Sequence, residues 1–339
     1  MKILVLPRDA NPYQSLLYGA MRGVEVRYLG ESTPSRTLNQ LLIPLELAAG
    51  RARGARIVHL HWTFGFGMPS RRLAWLWFRW TLTVIRLLGL RLVWTAHNVL
   101  PHGRVFPDDA AARRLLVRAC DLVIAHGPRA LDGLAGLGAV PARSALVPHG
   151  AYSVRDPGPP PGRASFLYFG QIAPYKGVED LIEAFEATDL DATLTIAGNC
   201  RDRAHAERLE TMAARSSGRL RLNLGYVPDD QVSGYFAEAD AVVLPFRNVT
   251  TSGSTLLALS HGRPVLLPAG VGLWPDAGRA VMTYDGTVPG LSRALRDLAA
   301  APDLADRATA ARAHAGALGW DAIGATTREL LTALIEGRS

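Results

Sequence analysis

The residue with the clearest chemical case is Lys176, in Tyr168-Phe169-Gly170-Gln171-Ile172-Ala173-Pro174-Tyr175-Lys176-Gly177, one of two lysines in a chain with 35 arginines. A compact ammonium on a flexible stem suits a phosphate oxygen approached at one point, whereas the flat guanidinium fork suits bidentate partners. The other lysine, Lys2, lies at the extreme start. Phe166 to Phe169 reads as a strand, a glycine turn follows, and Lys-Gly opens an amphipathic stretch from Val178 to Ala187. That order places Lys176 where ligands bind in parallel α/β sheets. A solvated lysine at a helix start is the plainer alternative.

A second segment, Pro245-Phe246-Arg247-Asn248-Val249-Thr250-Thr251-Ser252-Gly253-Ser254-Thr255, follows an apolar strand and opens a helix from Leu256 to His261. Small hydroxyl residues around a glycine at a helix start expose backbone N–H groups, and with the macrodipole they form an anion site suited to a diphosphate. Ser252 or Ser254 would cap any helix, but Thr251 to Thr255 holds more hydroxyls than one cap uses. Neither segment is a Gly-x-x-x-x-Gly-Lys-[Ser/Thr] loop, and no Gly-x-Gly-x-x-Gly follows the first strand, so ATPase and dinucleotide readings lose ground.

Histidines gather at strand ends in the first half: His59 and His61 in IVHLHW, His97 and His102 in VWTAHNVLPH, and His126 in LVIAHG. In a parallel sheet these ends face the ligand crevice, where imidazoles offer general acid/base capacity. A lone histidine there is more often structural. His97, followed by Asn98, is the first choice for catalysis, and His59 is expected to point to the opposite face from His61. Asp9, in Pro7-Arg8-Asp9-Ala10-Asn11-Pro12-Tyr13, is the best placed carboxylate; its plainer role is capping the helix that starts near Pro12. No carboxylate accompanies the histidines at ligand spacing, so no metal is expected. Asp189-Leu190-Asp191 reads as a turn.

These residues must be held by elements, and the pattern supplies them. Strands are predicted over 2–6, 24–28, 56–61, 91–96 and 121–125, with helices over 13–21, 37–49, 71–89 and 108–119. Such alternation argues a parallel, doubly wound sheet. Asp156-Pro157-Gly158-Pro159-Pro160-Pro161-Gly162 continues neither a helix nor a central strand, so the interdomain linker is placed at 156–163. The pattern restarts with strands over 166–169, 192–197, 220–227, 241–245 and 264–267, separated by helices over 177–187, 203–215, 229–239 and 253–262. Helices near 289–300, 303–316 and 320–336 close the chain. The expected fold class is α/β: two Rossmann-like, doubly wound parallel-sheet domains facing a cleft. Residues 1–155 form an acceptor domain, 164–318 a donor domain, and 319–339 a helix packing back on the first.

Composition agrees. A chain of 339 residues exceeds one typical core. Two cysteines, Cys120 and Cys200, build no disulfide framework and suit a reducing cytoplasm. The chain enters a strand at once, so a secretory leader is not expected. Its net charge of +7 divides into +11 over residues 1–150 and −4 over 151–339. The positive half suits nucleic acid, an anionic membrane or an anionic substrate. Arg71 to Gly89 sets three tryptophans and a phenylalanine among four arginines. That is a poor spanning helix and a fair interfacial one, although an outer helix of an α/β domain also buries one broad apolar face.

Together these motifs resemble the GT-B nucleotide-sugar glycosyltransferases of the family-4, or group 1, class. YFGQIAPYKGVEDLIEAF looks like that family's phosphate-binding loop and Lys-Gly helix start, GYVPDDQVSGYFAEADAVVLPF like the segment leading to the nucleotide, and SGSTLLALSHGRPVLLP like its donor helix. TAHNVLPH and VPHGAY match a bacterial subgroup. The resemblance implies that Gly170, Gln171, Lys176, Gly177, Arg247 and Thr251, Ser252, Gly253, Ser254 and Thr255 hold the donor diphosphate. It implies that His97 approaches the donor sugar or its phosphate. Asp9, His61 and His97 are the candidate bases, and Asn11, Tyr13, Trp62, Asn98 and His102 the candidate acceptor contacts.

Two departures stand out. Gln171 replaces the arginine of the family's Gly-Arg-Leu loop, with Arg247 as a substitute, and the Glu-x7-Glu pair is replaced by Val249 and Leu257. Retention and inversion therefore both stay open.

The implied activity is transfer of a sugar from a UDP- or GDP-sugar, as substrate, to a saccharide, lipid-linked or small-molecule acceptor, with no cofactor and no metal. The expected location is cytoplasmic, with 71–89 offering attachment to the inner face of the membrane. A soluble natural-product tailoring enzyme, a non-catalytic sugar-nucleotide binder and a GT-B epimerase are the alternatives. Nucleic acid is not expected as a partner, since the arginines are scattered over several elements.

Overall fold

A computed structural model describes residues 1–9, 11–62, 68–101, 103–216, 218–247, 252–270 and 277–338. The elements run β1 (Lys2–Leu6), α1 (Pro12–Ala20), β2 (Glu25–Tyr28), α2 (Arg36–Ala52), β3 (Ile57–Leu60), α3 (Arg71–Leu87), β4 (Arg91–Ala96), α4 (Asp109–Ala119), β5 (Leu122–Ala125), α5 (Pro128–Gly136) and β6 (Ser144–Leu146). They continue with β7 (Ser165–Phe169), α6 (Val178–Glu186), β8 (Thr193–Ala197), α7 (Arg203–Ala214), β9 (Leu220–Asn223), α8 (Asp229–Ala237), β10 (Ala241–Val243), α9 (Gly253–Ser260), β11 (Val265–Pro268), β12 (Val281–Tyr284), α10 (Val288–Ala299), α11 (Leu304–Ala317) and α12 (Trp320–Glu336). The chain divides into two compact units, Met1–Gly150 with Gly319–Ser339, and Ala151–Leu318.

The first unit is a six-stranded parallel sheet in the order β2-β1-β3-β4-β5-β6. Its four central strands, β1, β3, β4 and β5, are buried on both faces along most of their length, which is why they read as apolar runs. Successive side chains alternate between the faces. Leu4, Leu6, Val58, Leu60, Leu92 and Trp94 pack with Ile43 and Leu47 of α2, Phe78 and Leu82 of α3, Leu116 of α4 and Leu134 of α5. Ile3, Val5, Ile57, Val93, Leu122 and Ile124 pack with Tyr13 and Leu17 of α1 and Ile323, Leu331 and Leu334 of α12. Helix α12 approaches α1 closely at Gly324, where a Cβ would lie 2.8 Å from the Ala20 Cβ and 2.9 Å from its backbone carbon.

The second unit is another six-stranded parallel sheet, in the order β12-β11-β10-β7-β8-β9, around a core that includes Phe166, Phe185, Leu194, Phe236, Leu259 and Leu295. The Pro/Gly-rich run, expected to be the interdomain linker at 156–163, lies within the second unit. Asp240 accepts hydrogen bonds from the backbone N–H of Gly162 (2.5 Å), Arg163 (2.8 Å) and Ser165 (3.0 Å), and the buried Arg263 donates to the Gly158 carbonyl at 2.9 Å. These bonds fasten the run to the second unit, so the chain changes unit at Gly150/Ala151 and again at Leu318/Gly319.

Three elements have no counterpart in the sequence reading. Helix α5 contains Gly133 and ends on Gly136, and glycine weakens a helical signal. Yet Gly133 serves packing, because a Cβ there would meet the Val99 side chain at 2.8 Å. Strand β6 has only three residues, and β12, four residues at the other sheet's edge, is only partly buried.

Candidate functional site

In the second unit the chain leaves β7 and turns at Gly170, φ 142, where a Cβ would collide with the Ser254 hydroxyl. Glycine thus lets the loop lie against the start of α9. A single 3-10 turn over Pro174–Lys176 precedes Gly177, which takes a left-handed conformation, φ 70, with the Pro245 carbonyl occupying the space a side chain would need. Lys176 is drawn onto an aromatic floor, its Nζ 4.1 Å from the Phe246 ring centroid and 5.3 Å from that of Tyr175. Burial pulls its pKa down to about 8. An anion arriving at Nζ favours the charged form and reverses that shift.

Ser252 caps α9, its Oγ accepting from the Thr255 N–H at 3.2 Å. Thr255 is fully buried, and among the described residues its hydroxyl has no partner. Gly253 is exposed and Ser254 half-buried, and the first N–H groups of a helix have no partner within it. The loop thus touches the start of α9 at Gly170 and the Pro245–Phe246 segment at Gly177 and Lys176. Gln171 is exposed. Arg247 is placed differently from the expected substitute: its Nε and a terminal nitrogen grip both oxygens of Asp180 at 2.9 and 2.7 Å. Phe246 and Asp180 had not been singled out from the sequence. Thr251, with Asn248, Val249 and Thr250, lies outside the described residues; Leu257 is half-buried on α9. A cavity of about 710 Å³ in this unit, lined by Arg163, Thr195, Arg221, Asn223, Tyr235 and Glu238 among others, includes none of the candidate residues.

The first unit gathers its histidines more tightly than expected. Residues two apart on a strand share a face, so His59 lies beside His61, ring centroids 4.3 Å apart, and not opposite it. Thr95 and His97 on β4 and its end, and His126 after β5, fall on the same face. His126 Nδ1 lies 2.9 Å from the Val147 carbonyl oxygen, which only accepts, so this nitrogen carries the proton. With neutral rings, every further donor then follows. His97 Nδ1 donates to His126 Nε2 (3.2 Å), His61 Nδ1 to His97 Nε2 (3.1 Å), the Tyr18 hydroxyl to His61 Nε2 (2.6 Å) and His59 Nδ1 to the Tyr18 oxygen (2.9 Å). The Thr95 hydroxyl donates to His59 Nε2 at 2.8 Å, and Tyr13 bonds Thr95. One directional chain therefore runs from Tyr13 to the Val147 carbonyl. Burial keeps these rings neutral: it lowers the pKa values of His59 and His126 to about 3 and that of the neighbouring His149 to about 4, and puts His61 and His97 well below the usual range.

Aromatic rings enclose the chain. Trp62 stacks on His97 at 4.3 Å and 12°, Tyr13 meets His97 edge-on at 4.7 Å, and Trp320 of α12 packs on Tyr13 and His149. Tyr13 and His61 are each 1% exposed, so neither touches an acceptor directly. His97 is half-buried, but both of its nitrogens are engaged. Asn11, rather than Asp9, caps α1, accepting from the Tyr13 N–H at 2.9 Å. Asp9 is exposed, and its Oδ1 accepts from the Asn11 N–H at 2.8 Å. Trp62 and Asn98 are half-buried, and His102 lies outside the described residues. Among the described residues no three His, Cys, Asp or Glu side chains form a group that could hold a metal ion. The period of two could have found Thr95; nothing in the local sequence marks Tyr18 or Trp320.

Residues 163–300 match the family model described as "Glycosyl transferases group 1". The second unit carries a group 1 glycosyltransferase domain. The whole chain has the GT-B fold: it is similar to sucrose-phosphate synthase from Thermosynechococcus elongatus, with a TM-score of 0.78 at 16% identity over 99% of both chains. It is 31% identical over 206 residues to the GDP-mannose:glycolipid 4-beta-D-mannosyltransferase of Xanthomonas campestris pv. campestris, covering 59% of this chain and 55% of that protein. The chain thus spans about half the length of that relative. It is 27% identical over 325 residues to the 2-deoxystreptamine N-acetyl-D-glucosaminyltransferase of Streptomyces fradiae, covering 86% of this chain and 75% of that protein. The glycosyltransferase domain contains all the described residues assigned to the donor diphosphate.

Proposed function

We propose that this chain transfers a sugar from a UDP- or GDP-sugar to a hydroxyl of a saccharide or glycolipid acceptor. The observation that carries the reading is the packing of one loop against the start of α9 at Gly170 and against Phe246 at Lys176, within a group 1 glycosyltransferase domain. In the reaction the acceptor oxygen bonds to the anomeric carbon, the bond from that carbon to the diphosphate oxygen breaks, and the diphosphate leaves with its electron pair. Lys176 Nζ and the open N–H groups of α9 take up the developing negative charge, the part a cation would otherwise play. The acceptor proton is assigned to Asp9. Of the three candidate bases it alone is exposed and keeps a carboxylate oxygen, Oδ2, open among the described residues, whereas His61 and His97 have both nitrogens committed. His97 is given a positioning role.

The similarity to a glycolipid mannosyltransferase supports a lipid-linked acceptor, and we place the protein's work at the cytoplasmic face of a membrane. The similarity to an aminocyclitol-modifying transferase over 86% of the chain supports a soluble natural-product acceptor as the second reading. Turnover of labelled UDP- and GDP-sugars against lipid-linked and aminocyclitol acceptors, with EDTA present, decides. Lys176→Met is expected to lower kcat/KM by about 10²- to 10³-fold, and Asp9→Asn to lower kcat while leaving nucleotide affinity unchanged. A near wild-type rate in Lys176→Met removes the lysine from the mechanism. Nucleotide binding without transfer to any acceptor turns the reading to a binding protein.

A further inference from the structure

Helices α2 and α3 lie side by side on one face of the first sheet and bury one apolar stripe each in the core. Each also carries a second apolar stripe that the fold does not use. On α2 this is Leu38, Leu41 and Leu45, 44, 56 and 66% exposed; on α3 it is Leu73, Leu76, Trp80 and Leu87, 48, 58, 50 and 76% exposed. Within each helix the spacing is three, then four, then seven residues where it continues, which keeps the side chains on one line along the helix. That line is turned away from Ile43 and Leu47, and from Phe78 and Leu82, which face the sheet.

The charge around these stripes has one sign. Helix α3 contains no Asp or Glu, and its Arg71, Arg72, Arg79 and Arg86 are exposed with no ion pair among the described residues. Arg72, Arg79 and Arg86 recur every seven residues, forming a row beside the leucine line. The only carboxylate of α2, Glu46, is buried and bonded to the Gly30 N–H and the Ser32 hydroxyl. A monomeric surface rarely leaves this many leucines in a row exposed, and a soluble helix ordinarily mixes charges of both signs. No helix among the described residues is long and apolar enough to cross a membrane.

We propose that the outer faces of α2 and α3 together form a docking surface for an anionic lipid bilayer, the leucines and Trp80 entering the headgroup boundary and the arginine row meeting lipid phosphates. The surface belongs to the first unit alone and stands independently of the donor site. It extends the interfacial reading of 71–89 by a second helix, whose stripe has no aromatic or basic signature in the sequence.

Flotation of the full chain with vesicles of phosphatidylcholine alone, or with about one third phosphatidylglycerol, tests it. Wild type is expected to float with the anionic vesicles and to be released by high salt. Leu41→Gln with Leu45→Gln, on α2 only, should weaken binding at least about tenfold, as should Leu76→Gln with Trp80→Gln on α3. Arg72→Gln with Arg79→Gln and Arg86→Gln should abolish the preference for anionic vesicles. All variants should keep the wild-type circular dichroism spectrum and thermal unfolding transition, measured without nucleotide, which shows that the first unit is folded and separates this result from any failure of the catalytic reading. Retention of wild type in the aqueous fraction overturns the proposal. So does unchanged binding in the α2 variant, or a stable dimer that the same substitutions dissociate, since a second copy would then be the occupant.

Discussion

Five desolvated histidines in one unit, four of them buried and His97 half-buried, make a prediction of their own. Desolvation lowers their pKa values in the fold, while in the unfolded chain they titrate near the ordinary 6.5. Between these values the unfolded state binds more protons than the folded one, so stability falls as pH falls. The loss begins near pH 6.5, and each histidine contributes up to about 1.4 kcal/mol per pH unit. Denaturant midpoints measured from pH 7 to pH 5, above the ordinary carboxylate range, should therefore drop steeply. His59→Gln combined with His126→Gln should flatten the slope. A flat wild-type profile would contradict the tautomer chain from Tyr13 to the Val147 carbonyl. At this scale the sequence showed that imidazoles collect at strand ends; it did not show that they bond to one another. That depends on Tyr18 and Thr95, whose local sequence resembles any helix or strand position.

At the level of elements, the legible parts were those with strong periodicity. The central strands and the helices α2, α3, α4, α6, α7 and α12 follow their apolar patterns to within a few residues, because two-sided burial or one broad apolar stripe leaves a clear mark. What escaped were the short edge strands β6 and β12, which are only partly buried, and α5, whose glycines weaken the helical signal. The run at 156–163 misled for a related reason: Pro and Gly mark irregular backbone, but whether that backbone is free depends on partners such as Asp240 and Arg263, remote in sequence. Glycines likewise change meaning with their surroundings. Gly316 of α11 has nothing within 4 Å of a built Cβ, so Gly316→Ala should stabilise by about 0.5–1 kcal/mol. Gly324 of α12 faces the Ala20 backbone, so Gly324→Ala should destabilise by about 1–3 kcal/mol, the cost of overpacking a close helix contact. Urea unfolding of the two variants gives opposite signs if α12 is seated on α1 as described, and the same sign if it is not.

For the molecule as a whole, division of labour follows charge. The first unit carries the basic excess, the exposed leucines of α2 and α3 and the neutral histidine chain. The second, net acidic, holds Lys176, to which the proposal assigns one anion. Lys176 was legible because arginine has replaced lysine almost everywhere else in the chain; Asp180's hold on Arg247 was not, since it joins residues 67 positions apart. The central claim is that this lysine receives the diphosphate of the donor. Its pKa near 8 in the free protein means that at pH 9 it is largely neutral and must take up a proton when a dianion settles against it. Isothermal titration calorimetry with UDP and GDP at pH 7 and pH 9, in buffers of different ionisation enthalpy, measures that proton directly. The expected result is selective binding of one nucleotide, with uptake rising from near zero at pH 7 towards one proton at pH 9, and no uptake in Lys176→Met. Absence of binding by either nucleotide, or binding whose proton uptake is the same in Lys176→Met, would contradict the assignment.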